Sequence, residues 1–138
     1  MNIWSFSLPI PPSVNTTYRH GGGRCWLSIE YRTWRLAASI SLAGQTSGWI
    51  DKPTTPYIVW VQIRGGKGWR ADRDMDNCGK AVFDLLVDTR MIEDDSTQFV
   101  KRKYFEFEEA EKGRAAEMMV TVQEFRRRKP EEKIQQPI

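Results

Sequence analysis

Hydrophobic and polar positions alternate from the start of the chain. Over residues 2–8, Trp4, Phe6 and Leu8 fall on one side and Ile3, Ser5 and Ser7 on the other. A period of two predicts a strand with one buried face. Pro9, Pro11 and Pro12 end it, because proline removes ladder donors. Residues 13–23 show no period, and Gly21, Gly22 and Gly23 predict a mobile loop there. At Ser28 the period changes. Tyr31, Trp34, Ala38, Ser41 and Leu42 form one face of a helix over 28–42, capped by Ser28, with Arg32 and Arg35 on another face. Residues 44–56 are a turn-rich connection, too short for a domain linker. Residues 57–64 are nearly continuously apolar, which predicts a central strand.

The glycines at 65, 66 and 68 then loosen the chain. Cys78, Ala81, Val82, Leu85 and Leu86 give a second amphipathic helix over 77–88, with Asp76 or Asn77 as its cap. Phe83 and Val87 widen its apolar arc beyond what one sheet covers, so this helix is expected to touch a partner subunit. Alternation returns over 98–107 and 116–125, where Met118, Val120 and Val122 share a face. The order strand, helix, strand, helix, strand, strand predicts a small single α/β or α+β domain over 1–125, a mixed β-sheet flanked by two main helices. Residues 126–138 are polar and basic and are expected to be a disordered tail.

Composition supports a packed domain: 40% of the 138 residues are hydrophobic, including six Trp. No apolar run approaches the ~20 residues of a membrane span. The N-terminus has no basic segment leading into an apolar signal core. Cys25 and Cys78 lack metal-type spacing and suggest no disulfide framework, so a reduced, cytoplasmic setting is expected.

Charge changes the picture more. The net charge of +3 hides an asymmetry: residues 1–70 carry eight Lys and Arg against two acids, and residues 71–138 carry thirteen against sixteen. Basic surface attracts a nucleic-acid backbone by neutralising phosphate and releasing counterions. Asn15, Tyr18 and Arg19 in the first loop, Lys67 and Arg70 in the second, Arg73 beyond it, and Lys101 and Lys103 in the third strand are candidate DNA contacts. Each also suits an ordinary solvated surface. Arg32 and Arg35 pose the same alternative, as does the 126–129 run. Trp69 either wedges into DNA or packs, and packing is favoured. His20, the single histidine, is assigned no chemistry.

The acid-rich half is concentrated in residues 72–96, which hold eight carboxylates and three basic residues. Asp72, Asp74 and Asp76 alternate, so on extended backbone Asp74 and Asp76 would share a face. Two unit charges ~4 Å apart repel by roughly 4 kcal/mol at an effective dielectric of ~20. Solvent, a raised pKa or a cation relieves that repulsion. An EF-hand loop counted from Asp72 fails, since its sixth and twelfth positions are Asn77 and Phe83 rather than Gly and Glu. Asp76, Lys80, Asp84 and Asp88 fall four apart, so Lys80 stands one helical turn beyond the acidic pair. Glu93, Asp94 and Asp95 return to that pair only if the chain doubles back at 89–92.

The set Asp74-x-Asp76-Asn77-x-x-Lys80, then Asp84, then Asp94-Asp95-Ser96, resembles the RusA family of Holliday junction resolvases. Pro11-Pro12-Ser13-Val14-Asn15 after the first strand is a second match, and together they span about residues 2–125. The resemblance implies a homodimeric, Mg²⁺-dependent endonuclease, with Mn²⁺ as a substitute ion, that resolves four-way DNA junctions in recombination and repair. It gives Asp74, Asp76 and Asp95 the role of metal-binding carboxylates, and Lys80 a catalytic or phosphate-contacting role. It implies no membrane or organic cofactor and suits a bacterial or phage setting. Two departures stand out: Gly79 in the first helical turn, and Thr89-Arg90-Met91 where the family has a glycine-containing turn. Two other classes compete with it: a junction-binding protein whose acids are structural, and a different metal-dependent hydrolase of nucleotides or RNA.

Overall fold

The computed structural model describes residues 2–13, 18–110 and 113–126, with backbone alone at 18 and 19. Six strands and two helices form: β1 (Ile3–Leu8), β2 (Tyr18–Gly21), β3 (Arg24–Leu27), α1 (Ile29–Thr46), β4 (Tyr57–Arg64), α2 (Gly79–Asp88), β5 (Val100–Glu108) and β6 (Glu117–Glu124). The main sheet has the order β1-β6-β4-β5. β4 runs parallel to β5 and antiparallel to β6, and β6 is antiparallel to β1, so the sheet is mixed. The central position expected for residues 57–64 is what β4 occupies.

Alternation along the strands decides which face is buried. Tyr57, Val59, Val61 and Ile63 are each at most 1% exposed and join Phe6, Leu8, Val100, Met118, Val120 and Val122 in one core. Tyr31, Trp34, Ala38 and Leu42 of α1 and Val82, Phe83, Leu85 and Leu86 of α2 complete the same cluster. Both helices therefore lie on one face. No helix among the described residues covers the other, where Trp60 stacks on Tyr104 at 4.2 Å and Met119 is exposed.

Several expectations change. Ser28 caps α1 by accepting from the Tyr31 amide at 3.1 Å, but the helix runs through Gly44 to Thr46 rather than ending near 42. The extra turn has a purpose in the packing. The Gln45 side chain accepts from the Ser7 amide (2.8 Å) and donates to the Ser7 carbonyl (2.7 Å), occupying backbone groups of the edge strand β1. Phe83 is 3% exposed within its own chain, so it offers nothing to a partner subunit. Arg35 of α1 pairs with Asp88 of α2 instead of standing free.

The expected loop at 13–23 is in part a hairpin. Gly22 and Gly23 have φ of 55° and 74°, the positive values of a two-residue type I′ turn, and β2 pairs with β3 across it. Asn15 and residues 127–138 of the expected tail lie outside the described residues.

Candidate functional site

β4, α2 and β5 form a β-α-β unit, with α2 crossing between two parallel neighbours. Such a crossover leaves its ligand-binding crevice beyond the carboxyl ends of the strands, where the helix begins. Asp74 and Asp76 stand at that place. Asp74 is the last extended residue, with φ −79° and ψ 142°, and a 3₁₀ turn, Met75–Cys78, leads directly into α2. The helical path thus begins two residues before the expected 77, and neither Asp74 nor Cys78 makes a side-chain cap. Asp76 lies inside the 3₁₀ turn, so the shared face argued from extended backbone does not apply.

Glycine at 79 lets this turn seat. A Cβ there would come within 3.0 Å of the Phe105 ring of β5. The helix start therefore lies against the exposed edge strand. Further along β5, the Lys103 ammonium sits over the Phe83 ring at 4.1 Å and within 3.7 Å of Asp95. Before the turn, Trp69 pairs with Phe107 at 5.9 Å, and the Arg73 guanidinium lies 4.9 Å from the Trp69 ring centre. Arg73 also donates to the Pro11 carbonyl at 2.7 Å. The proline motif and the Asp-x-Asp motif, 62 residues apart, are joined by this bond. Trp69 packs, as expected of it.

Asp74, Asp76 and Lys80 are exposed, and no side-chain hydrogen bond or ion pair holds them among the described residues. The second acidic cluster is dispersed: Glu93 accepts from the Tyr57 hydroxyl at 2.9 Å, and Asp95 turns to Lys103. Asp74, Asp76 and Asp95 do not close into a cage, and no three His, Cys, Asp or Glu side chains form a metal-holding group among the described residues. The donor chemistry nevertheless fits a hard divalent cation. Mg²⁺ takes one or two carboxylates and fills its octahedron with water and substrate phosphate, so two unpaired carboxylates on one turn suffice for it. Cys78 is fully buried, and burial raises its thiol pKa; nearby Arg73 pulls the other way and Asp76 adds to the rise. It is packing, not a nucleophile.

The remaining candidates separate. Lys67 is exposed, while its backbone bridges Ala115. Arg70 pairs with Asp72 on a fully solvated surface, at 2.9 Å. Lys101 is exposed on β5. Tyr18 and Arg19 lie in β2. Sequence reasoning missed the partner strand β3, which brings exposed Trp26 and Arg24 beside them; two glycines between short runs were the available signal.

Free carboxylates on a helix-initiating turn, with basic side chains around them, are the groups that a hard cation and a phosphate backbone would take, which is the class of a metal-assisted nuclease. Comparison with known proteins narrows this class. The family described as Endodeoxyribonuclease RusA matches residues 9–123, so the chain belongs to the RusA family. It is similar to proteins named crossover junction endodeoxyribonuclease RusA. One, from Escherichia coli K12, is 38% identical over 89 residues, covering 63% of this chain and 69% of the relative. One from Shigella sonnei is 37% identical over the same length, and one from Enterobacteria phage 82 is 35% identical over 88 residues, with the same coverage.

Proposed function

We propose that this chain is an endodeoxyribonuclease that resolves four-way DNA junctions by metal-assisted phosphodiester hydrolysis. The observation that carries the reading is the pair of unpaired carboxylates, Asp74 and Asp76, at the start of a crossover helix in a member of this family. Asp74 and Asp76 would hold the divalent ion, Mg²⁺ with Mn²⁺ as substitute. Asp95 joins them by leaving Lys103. When bound, the ion supplies an activated water and neutralises charge on the leaving oxygen. Lys80, exposed in the first turn of α2, offsets charge that develops on the scissile phosphate. Arg73 holds the proline segment against the site, and Lys67, Arg70 and Lys101, with Asn15, Tyr18 and Arg19, draw the DNA arms to it.

Two opposed cuts in a nearly two-fold junction call for two sites, and a homodimer supplies them. No helix among the described residues is long and apolar enough to cross a membrane. Relatives from enteric bacteria and a phage support a bacterial or phage setting.

The test is incubation of the purified protein with a synthetic four-way junction or a matched linear duplex, with Mg²⁺ or with chelator. Paired symmetric nicks in the junction alone, lost on chelation, are expected. Tight junction binding with no nicks under any divalent ion would refute the hydrolytic reading and leave a structural binder.

A further inference from the structure

We infer that the indole of Trp26 is a stacking platform for an unpaired or unstacked DNA base, presented by the β2–β3 hairpin. The hairpin register sets its faces. Arg19 lies opposite Trp26, Gly21 opposite Arg24, and His20 opposite Cys25, so positions 19, 21, 24 and 26 share one side of the ribbon. Trp26 lies across the ribbon: its Cη2 atom is 3.2 Å from where a Cβ on Gly21 would stand. The bare glycine lets the indole rest on the opposite strand's backbone. The residue is still 47% exposed, and its ring has no aromatic or cationic partner among the described residues.

The surroundings select the ligand. Residues 18–27 contain Arg19, His20 and Arg24 and no acid. An uncovered indole in a wholly apolar patch would suit a protein groove. Beside Arg24, on a ribbon without an acid, it suits a polyanion that also offers π faces, which is a nucleic-acid strand. The hairpin is tied to the cleavage site as well. It begins seven residues after Pro11, whose carbonyl accepts from Arg73 beside Asp74. Seven extended residues reach at most about 25 Å, which bounds how far the start of the hairpin lies from that carbonyl. Where a four-way junction is held open at its crossover, bases lose a stacking neighbour, and a linear duplex has no such point. The platform rests on the junction-cleaving reading above and adds to it a means of telling the junction from ordinary duplex.

The test compares the parent chain with Trp26→Ala, Trp26→Phe and Gly21→Val. Probes are a four-way junction with 2-aminopurine at the crossover, the matched linear duplex, and a 2-aminopurine single strand. Stacking contributes roughly 1–3 kcal/mol per base, so Trp26→Ala should bind junction and single strand about 5- to 150-fold more weakly. Duplex affinity should not change. Trp26→Phe keeps most of the binding. Gly21→Val lifts the indole and gives a partial loss with Trp26 still present. Equal junction and single-strand binding by parent and Trp26→Ala overturns the platform. So does a change in sedimentation of the DNA-free protein on Trp26→Ala, which assigns the indole to a protein contact. If the parent shows no preference for junction over duplex, the junction reading falls instead, and the single-strand comparison still decides the platform.

Discussion

The Tyr57 hydroxyl donates to both oxygens of Glu93, at 2.9 Å each, and its ring is 1% exposed. Burial, then the hydrogen bond and negative charge of Glu93, hold its pKa well above the usual value of 10.0. A raised folded pKa means that the unfolded chain ionises first. This stability is therefore complete below pH 10.0 and is lost as pH rises above it. The unfolding free energy from urea titrations at pH 9 to 11.5 should fall by up to about 1.4 kcal/mol per pH unit on this account, and Tyr57→Phe should remove that part of the slope. Arg90 makes a second prediction at this scale. It has φ of 60° at the end of α2, where the Arg90 amide donates to the Val87 carbonyl and the Met91 amide to that of Leu86, a Schellman close. A non-glycine residue there is strained by roughly 1–2 kcal/mol, partly offset because glycine loosens the unfolded chain. Arg90→Gly should stabilise the protein by about 0.5–1 kcal/mol in urea denaturation. The turn at Thr89-Arg90-Met91, where the family resemblance leads one to expect glycine, thus has a backbone that favours one. Side-chain partnerships such as Tyr57 with Glu93, or Lys103 with Asp95, were not legible in the sequence. They depend on the register between distant strands, and no local pattern encodes it.

Among the elements, the four strands of the main sheet and both helices were legible because each buries one face at its own period. Boundaries were less so. Gly44 suggested an end to α1, but the Gln45 bonds to β1 and the Thr46 hydroxyl's bond to the Leu42 carbonyl carry the helix on. The hairpin escaped because three glycines suggested mobility, whereas two of them make a tight turn. Gly79 looked like a weak point in α2, with a helix cost of about 1 kcal/mol. It is a packing requirement instead, since Phe105 occupies the space of its missing side chain. Gly79→Val should destabilise by roughly 1–3 kcal/mol in urea denaturation through overpacking. It should also slow cleavage by displacing the turn that carries Asp76. Cleavage at the parental rate would detach that turn from the chemistry.

For the whole molecule, among the described residues helices cover one face of the main sheet only, and the two cysteines differ in exposure. Cys25 is exposed and Cys78 is 0% exposed. Iodoacetamide at pH 8 should modify one thiol of the native protein and both in urea, read by mass spectrometry. The carboxylates proposed to hold the metal were legible as residue types at a spacing, while their arrangement was not. Sequence spacing placed Asp74 and Asp76 on one extended face and drew Asp95 to them, but a 3₁₀ turn carries Asp76, and Asp95 pairs with Lys103. The central claim is that the free pair at the start of α2 performs the hydrolysis rather than holding the fold. It is tested most directly with Asp76→Asn, measuring junction binding and Mg²⁺-dependent nicking on the same samples. The account predicts the parental junction affinity with nicking abolished. Nicking at the parental rate would contradict it, and the acid pair would then be no more than a solvated turn.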